Sequence, residues 1–65
     1  MQIRVNGKEH DVAATTLAAL LAELDYQNRL VATAVNQTFV RAIDRPATPL
    51  RAGDAVEILV PRQGG

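Results

Sequence analysis

The sequence contains no cysteine, which excludes a disulfide framework, a thiolate zinc site and carrier chemistry run through a cysteine persulfide. Serine is absent too and His10 is the single histidine, so no catalytic triad can be assembled. His10 itself reads as a partly buried structural residue. The aromatic residues are Tyr26 and Phe39 alone, and seven Lys/Arg balance seven Asp/Glu. A nucleic-acid surface needs a basic excess and stacking rings, so nucleic acid is not an expected partner. No uninterrupted apolar run approaches the ~20 residues of a membrane span, and the opening MQIRVNGKEHD carries charges throughout, unlike a targeting peptide. No membrane is expected as a partner, and a reducing, cytoplasmic setting is the expected one. The carboxylates Glu9, Asp11, Glu23, Asp25, Asp44, Asp54 and Glu57 are scattered without metal-loop spacing. We expect no metal site and read them as solvated surface.

What is present suits one small domain spanning residues 1–65, with apolar residues making up 48% of the chain; so short a chain cannot support two cores. MQIRV alternates apolar and polar side chains, Asn6-Gly7 fits a two-residue type I′ turn, and KEHDV comes next, which predicts a β-hairpin. Such a turn sets Val5 opposite Lys8, Ile3 opposite His10 and Met1 opposite Val12, all on one inward face. Thr15 or Thr16 is placed to cap a helix in which Leu17, Leu20, Leu21 and Leu24 form a single stripe. Asp25 and Asn28 weaken its end.

Residues 30–36 (LVATAVN) read as a strand, followed by a turn at Asn36-Gln37 and a short strand over residues 38–41. RAIDRPATPL, with its prolines, predicts an irregular loop with one helical turn, pinned to the core by Leu50. After the turn Arg51-Ala52-Gly53-Asp54, residues 55–60 form the last strand, with Val56, Ile58 and Val60 inward and Ala55, Glu57 and Leu59 outward. Leu59 is thereby a candidate docking contact. Asn6, Gly7, Gly53 and Pro61 are assigned to backbone geometry. Pro61 stops the strand and leaves residues 62–65 as a flexible tail. A hairpin, a crossover helix and further strands give, under the right-handed crossover rule, an α+β fold: a mixed sheet with one helix on one face, the β-grasp layout.

The opening MQIRVNGK, the leucine-striped helix, VATAVNQTFV and above all the closing RAGDAVEILVPRQGG resemble the ubiquitin-like ThiS family of thiamine-biosynthesis sulfur carrier proteins. RAIDRPATPL departs from the family pattern. The resemblance implies a carrier without catalytic residues or bound cofactor, whose partners consume ATP and supply sulfur. An E1-like adenylating enzyme would activate the carboxylate of Gly65. A sulfur-transfer protein of the cysteine desulfurase or rhodanese type would convert it to a thiocarboxylate, and thiazole synthase would accept the sulfur. Gly64, Gln63 and Arg62 would form the tail that enters the partner's channel. Three alternatives stand beside this reading: the small subunit of molybdopterin synthase, a ubiquitin-like protein modifier, and a β-grasp interaction module whose tail does nothing.

The chemistry suits the terminus. Resonance stabilises a carboxylate against a sulfur nucleophile, so it must first become an acyl adenylate with AMP as leaving group. That intermediate needs a dry site on another protein. Without Cβ atoms, Gly64 and Gly65 can thread a narrow channel, and residues 62–65 extend for about 14 Å. Two terminal glycines arise by composition in only about 0.5% of chains, which favours function over chance.

Overall fold

A computed structural model of the protein describes residues 1–61. Strand β1 (Gln2–Val5) turns through Asn6 and Gly7 into β2 (Lys8–Asp11). Both turn residues have positive φ, 50° and 83°, the backbone a type I′ turn requires. The expected register holds, with Ile3 against His10 and Val5 against Lys8, and Met1 and Val12 continue the ladder through paired backbone hydrogen bonds. Ile3, Val5 and Val12 are buried, while Met1 and His10 are half-buried and Lys8 is exposed.

Helix α1 (Leu17–Glu23) starts where Thr16 Oγ1 accepts a hydrogen bond from the Ala19 amide at 3.1 Å, satisfying one of the free N–H groups of the first turn. Leu17, Leu20 and Leu21 are buried and Leu24 packs partly against them. The helix stops because Asp25 takes a left-handed backbone, φ 66°, and the Tyr26 amide returns to the Leu21 carbonyl at 2.7 Å.

Strands β3 (Ala32–Val35) and β4 (Thr38–Val40) form the second hairpin, and β5 (Ala55–Leu59) enters between the two hairpins. The five strands lie in the order β2-β1-β5-β3-β4, with β5 parallel to β1 and antiparallel to β3. The sheet is mixed; Val56 and Ile58 of β5 and the loop residue Leu50 complete the core against the helix leucines.

Several strand ends differ from expectation: β3 stops at Val35 rather than Asn36 and β4 at Val40 rather than Arg41. Residue 30 is not in β3: Leu30 is 78% exposed, and the strand begins at Ala32, which pairs with Leu59. Continuing that register would set Leu30 against Pro61, which has no N–H to offer. Val60, expected inward, is 41% exposed because β5 ends at Leu59.

The proline-containing segment is more ordered than the sequence suggested: Ala42–Ala47 is a six-residue 3₁₀ helix. Arg45 anchors it, donating to the Val31 carbonyl at 2.7 Å and to Thr33 Oγ1 at 3.1 Å. The Thr33 hydroxyl, only 2% of the residue being exposed, donates onward to the Val40 carbonyl. A buried hydroxyl is thereby satisfied in both directions.

Candidate functional site

Residues 62–65, where the sequence places the reacting group, follow β5 in the chain, so the surroundings of that strand are taken as the candidate site. β5 is the middle strand of the sheet. Beside it, the last backbone hydrogen bond from the β1 side is Asn6 N–H to the Val56 carbonyl, 2.9 Å. The chain then turns away at Gly7, and the side chain of Asn6 takes over. Its Oδ1 accepts from the Ile58 amide at 2.8 Å and its Nδ2 donates to the Ile58 carbonyl at 3.1 Å. A carboxamide presents the same donor and acceptor as a peptide group, so Asn6 extends the ladder by one step where no backbone is left to do it.

The equivalent residue of the other hairpin holds the opposite end of the strand. Asn36 Oδ1 accepts from the Ala55 amide at 3.0 Å, and its Nδ2 donates to Asp54 Oδ1 at 3.0 Å. Asp54 also accepts from the Arg51 amide through Oδ2 at 2.8 Å, closing the turn that places Gly53 at φ 89°. β5 is thus pinned at both ends by hairpin asparagines.

On the face of the sheet away from α1, pairing brings Leu59 beside Ala32, Glu57 beside Ala34, and Ala34 beside Phe39. These residues line a shallow, mainly apolar depression. Leu59 is 65% and Phe39 66% exposed, so Leu59 is part of a patch rather than a lone surface leucine. Glu57 gives the patch an acidic margin.

Several carboxylates read as solvated have structural partners. Glu23, at the end of α1, accepts from the amides of Ala13 and Ala14, with its closest contact at 2.9 Å. Asp44 pairs with Arg41 at 2.9 Å, and Asp54 closes its turn. Loop amides without partners are invisible in a one-dimensional pattern, which is why the sequence does not disclose these roles. Among the described residues no group of three or more His, Asp or Glu side chains comes together, and no helix is long and apolar enough to cross a membrane. His10 lies half-buried beside Val5, Lys8, Leu24 and Tyr26. The expected channel and modification residues Arg62, Gln63, Gly64 and Gly65 lie outside the described residues.

Known proteins share this fold. The family model of the ThiS family matches residues 3–65. The sulfur carrier protein ThiS of Thermus thermophilus is 33% identical over 61 residues, covering 94% of this chain and 95% of the relative. The crystal structure of a thiamine biosynthesis protein (ThiS) from Geobacter metallireducens superposes with a TM-score of 0.84 at 32% identity, covering all of both chains. An NMR structure of a thiamine biosynthesis protein from the same organism gives 0.79, covering all of this chain and 88% of the other. These matches and the five-stranded mixed sheet with its one helix make the fold a ubiquitin-like β-grasp, and the chain belongs to the ThiS family.

Proposed function

We propose that this protein is a sulfur carrier of thiamine biosynthesis, a co-substrate whose reacting group is the Gly65 carboxylate. The observation that carries the reading is the attachment of the tail to a central, doubly pinned strand beside an exposed apolar patch. Family membership supports reading that arrangement as a sulfur carrier's. A carboxylate oxygen attacks the α-phosphorus of ATP, and pyrophosphate leaves. A hydrosulfide equivalent then attacks the carbonyl carbon, the bond to AMP breaks, and the thiocarboxylate remains. Apart from that carboxylate the carrier supplies no acid, base or nucleophile; an E1-like activating enzyme provides the closed site, ATP and positioning. A cysteine desulfurase or rhodanese-type protein supplies the sulfur, and thiazole synthase accepts it.

The patch around Leu59, Ala32, Ala34 and Phe39 is the docking surface for the activating enzyme. Apolar centres with polar margins are the usual form of such interfaces, and Glu57 favours a basic rim on the partner. Intact-mass spectrometry after incubation with the activating enzyme, ATP and a sulfur donor tests the reading. The chain gains about 16 Da, one oxygen exchanged for sulfur, and a chain lacking Gly64 and Gly65 gains nothing. An unchanged mass of the full chain, under conditions that thiolate another carrier, would refute it. Consumption of the loaded sulfur by thiazole synthase, in preference to a pterin precursor, fixes the pathway.

A further inference from the structure

We infer that Asn6 is a positioning residue that sets the direction in which the tail leaves the sheet; the inference rests on the carrier reading above. Ile58 is the last residue of β5 held from the β1 side, and both its backbone groups are held by the one carboxamide, at 2.8 and 3.1 Å. On the opposite side the register with β3 ends at the next residue, with Ala32 against Leu59. Beyond those two holds, Val60 and Pro61 are exposed. Asn6 and Ala32 are therefore the two jaws at the end of β5, and among the described residues Asn6 is the one that grips through a side chain.

The leverage is large. Gly65 lies seven positions beyond Ile58, a span of about 24 Å when extended. If the β1-side hold is lost, the nearest remaining one is at Val56, two residues earlier. A tilt of about 20° at the base of that arm displaces its tip by roughly 8 Å. Acyl activation needs the carboxylate and the α-phosphorus within about 3–3.5 Å and aligned, and misplacement of even 1 Å is costly. A docked carrier with a loosely held strand end would still bind through its apolar patch while presenting its carboxylate less often in the productive place.

This role separates from Asn6's service to the turn. Asn6 sits at φ 50°, where glycine is equally at home, and Gly-Gly is a favoured type I′ pair. Asn6→Gly therefore keeps the hairpin and removes only the carboxamide. Asn6→Asp keeps an acceptor for the Ile58 amide and loses the donor to its carbonyl.

The experiment measures ATP–pyrophosphate exchange with the activating enzyme for the wild type, Asn6→Gly and Asn6→Asp. Each variant is checked for a folded thermal transition, and amide hydrogen exchange is followed at Ile58 and Val56. We expect Asn6→Gly to lower kcat about tenfold with KM within twofold of wild type, the split that marks misplacement rather than weakened docking. Asn6→Asp falls between the two, and Ile58 exchange accelerates in step while Val56 stays protected. Faster Ile58 exchange with unchanged kcat overturns the positioning role, as does a loss confined to KM. Should Asn6→Gly not fold, Asn6→Asp decides by the same criteria. A wild-type chain that is never adenylated overturns the carrier reading itself, and the positioning role falls with it.

Discussion

Asn6 and Asn36 occupy the first position of their hairpin turns with the same backbone angle, φ 50°, and each sends its carboxamide to β5. The second turn positions are unlike. Gly7 takes φ 83° without strain, whereas Gln37 is held at φ 71°, a region that side chains with a Cβ adopt at a cost. Gln37→Gly should therefore stabilise the protein by about 0.5 kcal/mol, the relief being partly offset by glycine's freedom in the unfolded chain. A higher midpoint in urea with an unchanged slope is the expected result. The opposite sign is expected for Glu23→Ala, which leaves the Ala13 and Ala14 amides without their acceptor. The expected loss is about 1–2 kcal/mol, read in the same titration.

Seven residues is a short helix, and an isolated one of that length would not persist in water. Packing of Leu17, Leu20 and Leu21 and the Thr16 cap hold it together. Thr16→Ala should cost about 1 kcal/mol, measured as a lowered thermal midpoint, with Thr16→Ser recovering most of it. The elements that can be read from residue order are those in which a local period and a turn signal agree. β1 and β2 are the clearest case, since alternation and Asn6-Gly7 fix the register together. The leucine stripe of α1 is another. Strand limits are less legible because they depend on the neighbour: the next ladder bonds beyond Ala32 would fall at Pro61, which has no N–H. The full 3₁₀ helix is hidden in the sequence because Pro46 and Pro49 signal a break, while its anchor, Arg45 on Val31 and Thr33, spans residues distant in sequence. Of the candidate site, Leu59 is visible as an outward residue from alternation alone. The clamp by Asn6 is not, since a favoured turn residue needs no second reason to be there.

Across the whole molecule, two kinds of surface meet at β5: the apolar patch on the outer face and the strand end that carries the tail. Leu59→Glu changes the first without entering the core, so its thermal midpoint should stay within about 2 °C of wild type. Its KM as a substrate of the activating enzyme should rise about tenfold or more, as expected on placing a charge in an apolar contact. An unaffected KM would move the docking surface elsewhere. The parallel pairing of β1 with β5 has a mechanical corollary. A tug between the start of the chain and its tail pulls these neighbours in opposite directions along their length, loading their cross-links all together in shear instead of peeling them singly. A pull along that axis therefore meets the whole ladder at once, and the fold resists it better than it would a force that unzipped the pairs in turn.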